Sequence, residues 1–433
     1  MPKFGIIAFV SLAILAVIAL FVPSGAVAAP AGSISAGDTA WMLTATGLVL
    51  LMTPGLSFFY GGMVSPKNVI STMFQSFIAM GLISVLWVVV GFSLAFGTSF
   101  HGIIGNPFSY FMLRGVSEAP NPAFAATVPF LLYALFQLKF AIITPALITG
   151  AIAERVKFSS YVIFIGLFSL FIYAPLAHWT WHPDGFLHKL GVLDFAGGTV
   201  VHMSAGYAAL AGAMFLGRRR SHLKRELHVP ANIPYVLLGT GLLWFGWFGF
   251  NAGSALGANA SAVLAFATTN TASASAALAW IFFDMVLGRK PSASGASVGA
   301  VVGLVAITPA AGYVTIGQSL FIGTVASVIS NLAVYIKTKS TLDDTLDVFP
   351  CHGLGGIVGM IMTSIFAKDV GLVYGQTKTF YAHLLGLVIV SVFAFGGSYI
   401  LYKVTDLIQT LRVSHEDEYL GLDLSQHGES TEH

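Results

Sequence analysis

Two acid-to-histidine stretches stand out in a chain of 433 residues in which only 9% of side chains are charged. Asp194-Phe-Ala-Gly-Gly-Thr-Val-Val-His202 opens one apolar segment, and Asp347-Val-Phe-Pro-Cys-His352-Gly opens another far downstream. Ionisable groups at membrane depth are costly, so each marks a functional hypothesis. Two neutral imidazoles can hydrogen-bond to each other, bind a small polar solute in an apolar pore, or relay a proton. The alternatives are two satisfied core histidines or a metal site, and a metal needs further ligands that neither stretch supplies. The acids are placed for another task. Each precedes its segment where a helix N-terminus exposes free N–H groups and the positive end of its dipole, so both are expected to be N-caps.

Aromatic residues interleaved with small ones form a second set. In Trp244-Phe-Gly-Trp247-Phe-Gly-Phe250-Asn-Ala-Gly-Ser254, Phe250 and Ser254 are one helical turn apart and share a face. A hydroxyl above a phenyl ring can coordinate a small cation while the ring blocks its path. An interfacial aromatic belt reads equally well. Ala177-His-Trp179-Thr-Trp181 offers the same two readings, a cation–π wall worth ~0.5–2 kcal/mol or a belt. Phe136-Gln137-Leu-Lys139-Phe140 sets a lysine in mid-segment. Adjacent helix residues diverge by ~100°, so Lys139 cannot share the direction of Phe140 and is expected to face other helices, paired or hydrogen-bonded.

The elements that must position these residues are membrane helices. The chain is 56% hydrophobic with a mean hydropathy of +0.84, far from the charge content of soluble domains. The single cysteine excludes an internal disulfide. The net charge of +2 gives no reason to expect nucleic acid, because the basic residues flank apolar segments. No cofactor or metal is expected. Residues 1–28 read as a signal peptide, with Lys3, an apolar run and a cleavage site after Ala28; the alternative reading is an uncleaved first span. Eleven apolar segments follow, near 40–64, 69–96, 125–152, 159–178, 197–216, 233–253, 261–286, 294–313, 317–336, 349–366 and 379–404, each close to the ~20 residues a bilayer requires. Lys67, Arg155, Lys157, Arg218, Arg219, Arg220, Lys224, Arg225, Arg289, Lys290, Lys337 and Lys339 fall on one side. Only Arg114, Lys189, Lys368 and Lys378 fall on the other, which predicts an N-terminus outside and a C-terminus inside.

His202 lies in the fifth segment and His352 in the tenth. Five is odd, so two five-span halves must enter the membrane from opposite sides as an inverted repeat, with a site near the midplane. The expected fold is thus an all-α polytopic bundle of eleven transmembrane helices in a five-plus-five inverted repeat. Residues 29–404 form the membrane domain and 405–433 a polar tail. That tail mixes charges with Tyr and Leu, which suits packing on the inner face or docking a partner; the alternative is a solvated tail.

DFAGGTVVH, WFGFNAGSA, GAIAERVKF, the two histidines and RVSHEDEYLGLDLSQHGES together resemble the Amt/MEP/Rh ammonium transporter family, above all its bacterial AmtB-like members, over essentially the whole mature chain. The resemblance implies a homotrimer in the bacterial inner membrane with one pore per subunit, carrying ammonium or its analogue methylammonium among membrane lipid. It implies an outer recruitment site of Trp181, Phe140 and Ser254. Phe140 and Phe250 would be a stacked ring gate, and His202 and His352 a twin-histidine pore pair. Asp194 would hold the outer site together without touching the ion, with Tyr173, Trp247, Phe136 and Gln137 lining or supporting the route. Trp181 and Ser254 set the chain apart from Rh proteins, which generally lack that site. Lys139 departs from the family pattern, which leaves local packing in question. The resemblance also implies a PII-type signal protein at the inner mouth, with the tail as coupling element. Three rivals remain: an intramembrane enzyme, for which no nucleophile or metal set is present near the pair; a sensor that signals without conducting; and a channel for another small neutral solute.

Overall fold

A computed structural model of the chain describes residues 2–22, 33–226 and 228–431. Helix α1 (Pro2–Phe21) is apolar, exposed along nearly its whole length and outside the bundle. The expected cleavage point after Ala28 lies outside the described residues. The bundle is built from α2 (Ala36–Met63), α3 (Pro66–Phe96), α4 (Phe130–Ile152), α5 (Phe158–Leu190), α6 (Gly198–Leu216), α7 (Ile233–Gly253), α8 (Ala260–Val286), α9 (Ala293–Ile307), α10 (Ile316–Thr338), α11 (Phe349–Phe366) and α12 (Lys378–Ile408). Among the described residues, eleven helices are long and apolar enough to cross a membrane; removing α1 and adding the shorter α9 leaves eleven in the bundle. This is a multi-pass membrane protein with the expected helix count.

Local chemistry sets the helix starts. Ser35, Asn232, Asn259 and Ser292 each accept the N–H three residues on, and Thr315 with Gln318 closes a reciprocal capping box at α10. Boundaries differ from the sequence expectation by a few residues at several ends, and α9 stops at Ile307, short of the expected 313. Residues 125–129 form a short strand paired with 120–121 rather than the start of α4. The fourth span runs on through Trp181 and, after a break, ends in a short turn at Phe186–Leu190.

The two halves cross where α6 meets α11, and glycine permits the approach. A Cβ on Gly206 would lie 2.3 Å from the Gly353 nitrogen. One on Gly356 would lie 3.0 Å from the Gly198 oxygen and 3.3 Å from the His202 Cβ. Small residues let helix backbones close to contact. Both helices also open with a π-helical turn, Gly198–Met203 and Phe349–Gly353, and each turn carries a histidine on its inward side.

The tail docks rather than trailing free. On α13 (His415–Leu420), Glu418 accepts the Arg220 N–H at 2.6 Å and the Arg412 guanidinium at 2.9 Å. Lys67 Nζ donates to the Tyr419 carbonyl at 2.6 Å. The Asp423 carboxylate takes the N–H groups of Ile70 and Ser71 at 3.0 and 2.7 Å near the start of α3, where the helix dipole favours an anion. Beneath the tail, buried Arg219 pairs with Glu154 at 2.6 Å and Asp343 at 2.9 Å. Burial pushes the Glu154 carboxyl up, but Arg219 and the Ser65 N–H outweigh it and hold it at about 2. A depressed carboxyl adds stability above its unfolded value that is lost as pH falls through its folded value. The lock therefore withstands mild acid and loosens as pH falls toward about 2. Arg219→Ala leaves two buried carboxylates without their guanidinium counter-charge, with an expected cost of about 3–5 kcal/mol. Measured as apparent melting in detergent, it should melt below the parent and expose the tail to limited proteolysis; an unchanged melting curve would refute the lock.

Candidate functional site

The site starts at the loop before α6. The Asp194 carboxylate accepts the N–H groups of Gly197, Gly198 and Thr199 at 2.8, 2.7 and 2.7 Å and the Thr199 hydroxyl as well. It is buried and aimed inward, so it caps α6 and does not face the adjoining vestibule. Its carbonyl accepts the Trp181 indole N–H at 3.1 Å, which ties Trp181 of α5 to the start of α6. On the next element, the His383 ring on α12 accepts the Leu193 N–H at 2.9 Å. Sequence reasoning missed His383 because nothing in its local pattern marks it.

Trp181 is one wall of a vestibule of about 340 Å³. Phe124, Tyr133, Gln137, Phe140, His188, Phe195 and Ser254 line it too. The Trp181 and Phe140 rings meet edge to face at 5.8 Å. Ser254 Oγ donates to the Phe250 carbonyl at 2.8 Å, which leaves its oxygen free to accept a donor from the vestibule. The three residues named for recruitment thus share one cavity, and their rings suit a small cation.

The Phe140 and Phe250 rings form the floor, 4.3 Å between centroids. Phe136 backs Phe140 at 4.9 Å. Below them a narrow chamber of about 10 Å³ is lined by Val201, Leu243, Trp247, Phe250, His202 and His352 among other apolar side chains. That is room for about one water-sized molecule. Trp247 is fixed by its indole N–H, donated to Thr308 at 2.9 Å, and lies 5.4 Å from the His202 ring.

His202 and His352 meet through their Nδ1 atoms at 3.3 Å. One Nδ1 must donate and the other accept, so the two rings hold opposite tautomers. One Nε2 then accepts and the other donates. The Nε2 of His202 has no hydrogen-bond partner among the described residues. The chamber therefore offers an acceptor and a donor in an otherwise apolar wall, suited to a small solute that has N–H bonds and a lone pair.

One expectation needs correcting. The N-cap of α11 is Asp344, not Asp347. Asp344 accepts the N–H groups of Val348 and Phe349 at 3.0 and 2.7 Å. Asp347 sits in a left-handed turn (φ 59°) and pairs with Lys337. The signal was in the sequence, since Asp344 precedes His352 by the same eight positions that separate Asp194 from His202. Asp344→Ala should therefore cost more transport activity than Asp347→Ala, measured side by side in vesicles. Equal losses would place the acid's role elsewhere.

Lys139 also departs from expectation. It is half-buried, one turn from exposed Leu135, lines neither cavity, and forms no hydrogen bond or ion pair among the described residues. Its stripe of α4 points away from the route, so a long aliphatic stem is accommodated without a counter-charge. Tyr173 is buried in a π-turn of α5, 6.4 Å from Trp87, and supports the bundle without lining either cavity.

A family model described as the ammonium transporter family matches residues 40–432. An ammonium transporter of Aquifex aeolicus is 47% identical over 400 residues, covering 91% of this chain and 92% of that protein. One from Bacillus subtilis is 42% identical over 401 residues, covering 91% and 98%. The crystal structure of Candida albicans Mep2 superposes with a TM-score of 0.85 at 35% identity, covering 92% of this chain and 90% of that one.

Proposed function

The chain belongs to the ammonium transporter family, and from that premise we propose that it conducts ammonia from an outer capture site to the cytoplasm. The vestibule faces outward and the docked tail lies in the cytoplasm. Trp181, Phe140 and Ser254 capture ammonium in the vestibule. Below them, the Phe140–Phe250 stack and the apolar chamber make passage of the intact ion costly. Ammonium gives up a proton near the stack, and neutral ammonia enters the chamber. There it donates to the accepting Nε2 and accepts from the donating one. The proton passes separately along the Nδ1-linked pair, so one charge moves inward per ammonia and uptake is electrogenic. Potassium resembles ammonium in size and charge but has no proton to lose, so it cannot follow.

The observation that carries this reading is the stack order: aromatic vestibule, ring floor, then a narrow, mostly apolar chamber with a paired imidazole. Members of this family are transport proteins rather than enzymes. The protein assembles as a homotrimer, with exposed Val263 and Phe266 of α8 on an apolar groove available for subunit or lipid contact. A PII-type protein docks at the tail face, where the tail already bridges the start of α3 and the loop before α7.

Purified protein in liposomes provides the test. Radiolabelled methylammonium should accumulate, with ammonium competing and potassium not. A protein that binds methylammonium without accumulating it would instead be a sensor.

A further inference from the structure

Among the residues lining the vestibule, only two carry titratable side chains, Tyr133 and His188. A phenol stays neutral near physiological pH, whereas histidine is the side chain whose charge changes between about pH 5 and 8. His188 belongs to the turn Phe186–Leu190, is exposed, and lines the same cavity as Trp181, Phe140 and Ser254. The rest of that lining is aromatic, aliphatic or uncharged, so protonation of this one ring places a positive charge in a cavity built to receive a monovalent cation.

The charged groups around it are already committed. Lys189, on the same turn, is paired with Asp184 at 2.7 Å. His182, at the end of the preceding helix, accepts the Asp184 N–H at 3.0 Å and is buried. The Asp194 carboxylate spends its oxygens on the start of α6. His383 on α12 is held between the Leu193 N–H and the Met360 carbonyl. His101 lies on the ribbon that accepts the Phe186 N–H through the Gly102 carbonyl. Of the vestibule lining itself, His188 is thus the one imidazole.

We propose that His188 sets the affinity of the vestibule for ammonium according to external pH. Protonated His188 repels the incoming cation and raises the apparent KM; neutral His188 leaves capture to the aromatic wall. The inference rests on outer capture at Trp181, Phe140 and Ser254. It acts on capture and not on passage, because His188 is above the ring floor and has no contact with the chamber. Ammonium and methylammonium both keep their proton over this pH range, so the substrate itself does not change.

The experiment is methylammonium uptake by liposomes at external pH of about 5.5 and about 7.5, with KM and Vmax resolved separately for the parent, His188→Gln, His188→Lys and Trp181→Ala. In the parent, apparent KM should rise by roughly three- to tenfold on acidification, the size expected for one unit charge in a wet, partly screened cavity. In His188→Gln that ratio should fall to about one. His188→Lys should show a raised KM at both pH values. Parallel KM–pH curves for the parent and His188→Gln would overturn the proposal, as would a His188 effect confined to Vmax. Trp181→Ala separates the two levels: if it leaves KM as in the parent at both pH values, outer capture itself fails, whatever His188 does.

Discussion

His202→Ala is expected to abolish ammonium-selective current, and His352→Ala to do the same. Each removes one partner of the Nδ1–Nδ1 contact at 3.3 Å and one of the two polar groups in the chamber. Positioned proton-transfer groups are typically worth about 10²–10⁴-fold, so a fall of at least about 10²-fold is expected in each variant. Alanine also replaces a ring that lines the narrow chamber. Water would fill the vacated space, and hydrated ions would meet a lower barrier. The expected signature on a solid-supported membrane is therefore twofold: the ammonium current collapses and discrimination against potassium weakens. If ammonium current and its selectivity over potassium both persist in the two variants, the relay is wrong and the pair is only part of the wall.

Asp194→Ala should disable the protein by a different route. Its carboxylate satisfies three backbone N–H groups and one hydroxyl, all buried. Each buried donor left without a partner costs about 1–3 kcal/mol. The total exceeds what the loop before α6 can bear without moving, and Trp181 moves with it because its indole is bonded to the Asp194 carbonyl. Alanine should give both a lowered apparent melting temperature and loss of methylammonium capture. Asparagine keeps the shape and one good acceptor, so it should fall between alanine and the parent on both measures. An alanine variant that melts and transports like the parent would remove Asp194 from the structure of the site.

These two results would test roles that were visible to different degrees. The eleven helices were legible because a bilayer demands runs of apolar residues near a fixed length, and that demand is written locally. The tail's contacts were not: Asp423 meets Ile70 and Ser71 from the far end of the chain, and no local pattern encodes a pairing of that range. The strand at 125–129 was read as helix because its apolar composition continues into α4 without a break. Lys139 showed the limit of helix geometry: spacing established that it diverges from Phe140, but not that its stripe faces out of the bundle without a counter-charge.

The Asp194–His202 stretch separates what sequence determines from what only tertiary structure decides. An acid eight positions before a histidine at a helix start is enough to predict a cap and an inward ring, since both follow from backbone donors and helical periodicity. The cap at Asp194 formed as expected. In the other half the nearer acid, Asp347, was read as the cap, and the contacts chose Asp344. Whether two histidines far apart in the chain become a pair is a different kind of question. It depends on α6 and α11 crossing at backbone contact, which Gly206, Gly353, Gly198 and Gly356 allow. It depends also on opposite tautomers meeting at one short distance. Sequence supplied the groups and the room; only the crossing of the two halves set them 3.3 Å apart, because that separation is a property of packing and not of either segment.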